Sequence, residues 1–141
     1  MSRIYWDTML FIYWLEDNPE FAKRVNTIRR RMQERNDQLL TGALTFGEVL
    51  AGVYRRGVAA RANDTKRLLQ GVVSEIVPFT LETADRYAHI RGALGLPAAD
   101  SIHLASAALA RTDLFITNDR KLVGKVIPGI QFVVGLDSNL F

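Results

Sequence analysis

Four acidic residues carry the chemistry open to this chain. Asp7 ends the apolar run Ile4-Tyr5-Trp6, and Glu48 lies in Leu44-Thr45-Phe46-Gly47-Glu48-Val49-Leu50. Asp100 lies in Ala99-Asp100-Ser101-Ile102-His103-Leu104-Ala105, and Asp119 closes Leu114-Phe115-Ile116-Thr117-Asn118-Asp119. Three of them fall where a strand-like run ends or a helix begins, and Glu48 falls one turn inside a helix. In a parallel sheet such junctions share one edge, where open α/β sheets bind ligands. Four carboxylates within about 5–8 Å of one another repel strongly unless compensated. Mg²⁺ or Mn²⁺ compensates them, since these hard cations prefer oxygen and retain several waters. A bound ion of this kind lowers the pKa of water, orients a phosphate and offsets charge on a leaving oxygen. The chemistry indicated is hydrolysis of a phosphodiester.

Each acid also has a purely structural reading. Asp7 could cap the helix that follows it. Thr45 and Glu48 have capping-box spacing, so Glu48 could reach back to the Thr45 amide. Asp100 lies in the first turn after Pro97, where a negative charge favours the helix dipole. Asp119 could be a turn residue. The recurrence of the acids at one type of junction is what argues for a shared site.

The elements that must position them alternate in type. Strands are expected at about Arg3–Asp7, Gln38–Gly42, Glu75–Pro78, Leu114–Thr117 and Ile130–Val134. Helices are expected over about Thr8–Glu16, Pro19–Asn36, Thr45–Arg56, Val58–Gly71, Thr80–Leu94 and Ala98–Arg111, with a short helical turn at Arg120–Gly124. Pro19, Thr80 and Pro97 read as helix starts, and Gly57 and Gly95 as helix ends. Alternation of this kind predicts a three-layer α/β/α sandwich with a central, largely parallel sheet. Alanines 98, 99, 105, 107, 108 and 110 would let their helix approach the sheet closely. No repeat or linker divides the chain, so 1–141 reads as a single domain.

Composition narrows the choice. The chain has 141 residues, no cysteine and two histidines. Disulfides, thiolate zinc sites and cysteine nucleophiles are excluded, and any metal is held mainly by oxygen. Net charge is +3, with basic clusters around 23–35, 55–67 and 111–125. A basic shell suits a polyanion such as nucleic acid, although solvated helix faces give the same pattern. The N-terminal apolar run is broken by Asp7 and lacks a cleavage site, so no signal peptide is expected. That and the absence of cysteine fit a cytoplasmic setting.

Other residues are read more plainly. His103 shares a helix face with Asp100 and could brace a carboxylate or touch substrate, but a packed histidine is the simpler reading. His89 has no acidic neighbour at a useful spacing. Phe11, Tyr13 and Trp14 suit core packing, or a groove for a partner peptide, better than base stacking. Arg120 and Lys121 directly follow Asp119 and are the basic residues best placed to bind substrate phosphate.

Four blocks, Tyr5-Trp6-Asp7-Thr8 and the three quoted above around Glu48, Asp100 and Asp119, resemble the PIN domain family over nearly the whole chain, and in particular the VapC-type toxins of toxin–antitoxin pairs. Each block alone is weak; their order and spacing are specific. The resemblance implies a Mg²⁺- or Mn²⁺-dependent endoribonuclease that uses a metal-activated water and leaves 5′-phosphate ends. It implies Asp7 and Asp100 as principal metal ligands, with Asp119 as a further ligand, direct or through water. It implies Glu48, also counted in the metal site, as the residue that helps place the metal-bound water, and Thr117 as a hydrogen-bonding helper near the substrate. It also implies a cognate antitoxin, covering apolar helices near the N-terminus, and a homodimer. One departure is Met9, where many relatives carry Asn or Ser. The competing reading is a noncatalytic RNA- or protein-binding module on the same fold. A phosphatase of the haloacid-dehalogenase type is disfavoured, because Asp7-Thr8-Met9 lacks a second aspartate.

Overall fold

The computed structural model describes residues 1–141. Five strands are joined by three pairs of α-helices, with β5 following β4 directly: β1 Arg3–Trp6, α1 Thr8–Leu15, α2 Ala22–Glu34, β2 Gln38–Gly42, α3 Ala43–Arg55, α4 Ala62–Val72, β3 Glu75–Val77, α5 Leu81–Ala93, α6 Ala98–Leu109, β4 Thr112–Thr117 and β5 Ile130–Gly135. The strands form one sheet in the order β3-β2-β1-β4-β5, and every pairing is parallel.

That order sets where a ligand can bind. From β1 the chain builds outward to β2 and β3, then returns to place β4 on the other side of β1. The carboxyl ends of β1 and β4 therefore flank a topological switch point, where connections leave in opposite directions and open a crevice.

Side chains alternate across the sheet with a period of two. Ile4, Trp6, Leu39 and Ile116 face a core shared with Leu10, Phe11, Val25, Ile28, Met32, Val49 and Leu69 of α1 to α4. Tyr5, Leu40, Val77, Phe115 and Val133 face the other core, shared with Ile90 of α5 and Leu104, Ala105, Ala107 and Ala108 of α6. The three-layer sandwich expected from the alternation of elements is thus present. The alanines of α6 bring it so close to the chain that a Cβ on Gly129, itself at φ +97°, would sit 2.5 Å from the Ala108 carbonyl oxygen. No helix is long and apolar enough to cross a membrane.

Several boundaries differ from expectation for local reasons. The second helix starts at Ala22, not Pro19, because the Asn18 carboxamide oxygen accepts from the Glu20 and Phe21 amides at 2.9 and 3.0 Å. This Asx turn holds 18–21 outside the helix. The third helix begins at Ala43, two residues early, with Gly42 at its N-cap. The expected helix at 58–71 is a 3₁₀ turn, Ala59–Arg61, followed by α4. Thr80 caps α5 as expected, but its reciprocal partner is Thr83.

Candidate metal centre and active site

The site grows from the pairing of β1 with β4. Trp6 lies opposite Ile116, and the Asp7 amide donates to the Ile116 carbonyl at 3.0 Å. That register sets Asp7 beside Thr117. The Asp7 Oδ1 accepts from the Thr8 amide at 2.7 Å and caps α1, while Oδ2 accepts from the Thr117 hydroxyl at 2.8 Å. The capping reading of Asp7 and a site role therefore coexist: the cap locks the carboxylate at the sheet edge. The Thr117 hydroxyl also accepts from the Asp119 amide at 3.1 Å, and Asp119 Oδ1 accepts from the Lys121 amide at 3.0 Å. One threonine thus ties the first acid to the turn that carries the last.

Asp100 enters from above, in the first turn of α6. Its carboxylate makes no hydrogen bond within the protein. Its pKa is pushed above the ordinary carboxylate value by burial first, then by the charges of Asp7 and Asp119, with Glu48 adding a smaller push. The helix dipole acts in the opposite sense. Burial and the charges of the neighbouring acids act together on Asp100, so the acids share one electrostatic field.

Glu48 is not engaged in a capping box. Thr45 is buried, and its hydroxyl lies 2.7 Å from the Thr41 hydroxyl, inside α3 rather than at its start. Glu48 instead leans toward α1 and α6: its Oε1 accepts from Thr8 Oγ1 at 2.7 Å and lies 2.7 Å from His103 Nε2. The His103 hydrogen bond is the main reason that the Glu48 carboxyl is held below its ordinary pKa, against the opposing effect of burial. His103 is itself buried, and its Nδ1 lies 2.8 Å from the Tyr5 hydroxyl. Burial raises the Tyr5 phenol pKa, and the nearby charge of Asp7 raises it further.

Asp7, Glu48, Asp100 and Asp119 all line one open cleft of about 440 Å³, with Thr8, Met9, Ile12, Tyr13, Arg55, Ala99, His103 and Asn118. Thr117 lies beneath it through Asp7. Arg120 and Lys121 do not line it. Arg120 pairs with Asp137 at 3.2 Å, and the Lys121 side chain is exposed outside the cleft. The cation on the cleft wall is Arg55, at the end of α3, which adjacency to an acid could not reveal. The three N-terminal aromatics separate: Phe11 is core, the Tyr13 hydroxyl accepts from the Asn118 side-chain Nδ2 at 3.0 Å on the cleft wall, and Trp14 lies under the Arg29 guanidinium at 5.2 Å. His89 is exposed on α5. Three groups that sequence reasoning left out or underweighted (Tyr5, Thr8 and His103) form the support under Glu48. The only signals for them were a threonine adjoining Asp7 and a histidine one turn after Asp100.

No three of the acidic and histidine side chains close into a ready-made metal cage. The donor set still suits a hard ion, because Mg²⁺ commonly takes one or two carboxylates and keeps the rest of its shell as water. Asp100, with no protein partner, and Asp7, with a lone pair left on each oxygen, could hold such an ion; Asp119 and Glu48 could meet its waters.

Comparison with known proteins follows the same lines. The PIN domain family model matches residues 4–125. No curated protein sequence matches the chain. Among solved structures the chain is similar to VapBC2 from Rickettsia felis bound to a promoter DNA fragment, with TM-score 0.75, 15% identity, and coverage of 94% of this chain and 98% of that one. It is similar to DNA-bound VapBC from Salmonella typhimurium, with TM-score 0.73, 19% identity, and coverage of 96% and 99%. FitAcB from Neisseria gonorrhoeae gives TM-score 0.64 at 25% identity, covering 82% and 87%.

Proposed function

The chain belongs to the PIN domain family, and on that premise we propose that it is a Mg²⁺- or Mn²⁺-dependent endoribonuclease, the toxin of a toxin–antitoxin pair. The observation that carries this reading is the convergence of Asp7, Glu48, Asp100 and Asp119 on one cleft at the switch point, with the Asp100 pKa raised by burial first and then by the charges of Asp7 and Asp119. A pure binding module has no need of carboxylates that repel one another.

The chain's own residues supply a divided arrangement. Asp7 and Asp100 would hold the ion, and Thr117 fixes the direction of Asp7. When bound, Mg²⁺ or Mn²⁺ supplies a lowered pKa for water and charge compensation on the leaving 3′-oxygen. Glu48, with no protein group on its Oε2, would orient the water for attack on the phosphodiester. Arg55, rather than Arg120 or Lys121, is the cation that meets substrate phosphate on the cleft wall. This hydrolysis does not use the RNA 2′-hydroxyl, so preference for RNA rests on shape and 2′-OH contacts away from the acids.

An antitoxin partner has support in a second groove. It has a volume of about 380 Å³, lies between α1, α3 and α4, and joins the acid cleft through Ile12 and Arg55. Leu15, Val49, Val53 and Leu68 give it an apolar floor; Arg56 on its rim pairs with Glu16, and Arg55 and Arg61 add further positive charge, which suits an apolar segment with acidic residues. A homodimer and a cytoplasmic setting complete the proposal, and light scattering checks the first.

The deciding experiment is cleavage of total RNA and of a set of structured RNAs with Mg²⁺ or Mn²⁺, against EDTA and against Asp7→Asn. Metal-dependent cuts with 5′-phosphate ends, absent in the variant, are expected. No cleavage across the set, with tight RNA or protein binding retained, would replace the enzyme with a binding module.

A further inference from the structure

A line of hydrogen bonds runs from the buried face of β1 to the acid cleft. The Tyr5 hydroxyl lies 2.8 Å from His103 Nδ1, and His103 Nε2 lies 2.7 Å from Glu48 Oε1. Thr8 Oγ1 donates to the same Glu48 oxygen at 2.7 Å and lies 3.0 Å from Nε2. Tyr5 and His103 are 0% and 2% exposed, so protein groups alone decide where their hydrogens go.

Counting donors selects one tautomer of the neutral ring. An ionised carboxylate only accepts, so the hydrogen between His103 and Glu48 belongs to Nε2. In the neutral form the imidazole has a single N–H, which leaves Nδ1 as an acceptor and makes the Tyr5 O–H its donor. The opposite tautomer would set two acceptors, Nε2 and Oε1, face to face. The phenol is held in place for this task by stacking on Phe115, with ring centroids 5.1 Å apart and planes 10° from parallel. Gly42 makes room for it: a Cβ there would lie 2.6 Å from the phenol oxygen.

Building on the nuclease reading above, we propose that His103 is a positioning residue: Tyr5 holds it as the Nε2–H tautomer, and that N–H, with the Thr8 hydroxyl, pins Glu48 Oε1 so that Oε2 alone is presented to the cleft. Two donors on one oxygen remove the rotation that would otherwise exchange the two oxygens. An acid that must orient a water gains from being held in one direction before the reaction begins. Hydrogen-bond partners of site carboxylates in this position are typically worth about 10–100-fold in metal affinity or activity.

The first test is a two-bond ¹H–¹⁵N spectrum of the metal-free ¹⁵N-labelled protein at neutral pH. His89 is identified by His89→Gln. His103 is expected to show a pyridine-type Nδ1 and a pyrrole-type Nε2, and Tyr5→Phe to move both signals toward a tautomer average. An Nδ1–H ring or an imidazolium in the unmodified protein would overturn the assignment. The second test compares His103→Ala with His103→Gln, whose amide keeps a donor toward Glu48. The alanine variant should lose about 10–100-fold in kcat, with KM for RNA much less affected, and should bind Mn²⁺ more weakly by titration calorimetry. The glutamine variant should recover most of both. If alanine destabilises the chain, Tyr5→Phe, which keeps the ring packing, carries the same comparison. Full activity in both His103→Ala and Tyr5→Phe, with the unmodified chain active, would overturn the positioning role alone. An unmodified chain that neither binds Mn²⁺ nor cuts RNA would overturn the nuclease reading, and the role with it.

Discussion

Asp100 shows how a single residue can be locally favourable and still strained. Its place in the first turn of α6 suits a negative charge, while burial and the charges of Asp7 and Asp119 disfavour one. Because its folded pKa lies above the unfolded value, its contribution to stability is fully present below the unfolded pKa and is lost as pH rises through the folded pKa. Asp100→Asn should therefore raise the melting temperature of the metal-free protein at pH 7, and the gain should shrink as pH falls toward about 4, the ordinary carboxylate range. The same substitution should abolish the stabilisation by Mn²⁺; calorimetry that finds an unchanged Mn²⁺ shift would remove Asp100 from the ligand set. Glu48 has the opposite sign. Its pKa is lowered, so its contribution is present above the unfolded pKa and is lost as pH falls through the folded one. His103→Ala should weaken that acid-side loss, measurable as a flatter stability profile below the unfolded pKa.

At the scale of elements, the site depends on how closely strands and helices approach. Gly42 ends β2 and begins α3 at φ −90°, which alanine tolerates. Gly42→Ala should nonetheless cost about 1–3 kcal/mol in urea denaturation, because its Cβ would run into the phenol oxygen of Tyr5. Tyr5→Phe removes that oxygen, so the double variant should be less destabilised than the sum of the two singles. Strict additivity would mean that the clash is relieved elsewhere and that β2 does not set the position of Tyr5. The same approach explains α6: its alanines bring His103 against β1, and larger residues there would lift it off Glu48.

Over the whole molecule, the charge is arranged as an acidic centre within a basic surround. Net charge is only +3, yet Arg55 stands on the cleft wall and Arg56 and Arg61 line the adjoining groove. For single-stranded RNA, each phosphate neutralised contributes about 0.7 to the slope of log K against log salt. Arg55→Gln should weaken RNA binding in EDTA and flatten that slope by about one such step, whereas Arg120→Gln should leave the slope nearly unchanged. An equal effect of the two by filter binding would show that RNA lies across the Asp119 turn rather than along α3. Saturating Mn²⁺ at about a hundred times its Kd should stabilise the unmodified chain by about 2.7 kcal/mol.

The sequence by itself determined the alternation of strand and helix, the sandwich it implies, and the four acids as candidates. These are local matters: apolar runs with strand or helix period, Pro and Gly punctuation, and acids at or one turn beyond a junction are readable within a short window. Helix starts were less legible, because Asn18 and Gly42 act through backbone hydrogen bonds and close approaches that composition does not show. Tertiary structure decided everything that depends on strand order. Placing β4 against β1 brings Thr117 onto Asp7, although 110 positions separate them. Seating α6 on the sheet turns His103 from an ordinary packed histidine into the link between Tyr5 and Glu48. It also decided which cation faces the acids: Arg120, next to Asp119 in sequence, turns to Asp137, while Arg55 reaches the cleft from α3. Adjacency along a chain places side chains next to each other only where the backbone lets them point the same way. At a sheet edge built from four separate junctions, the neighbours that matter come from other elements.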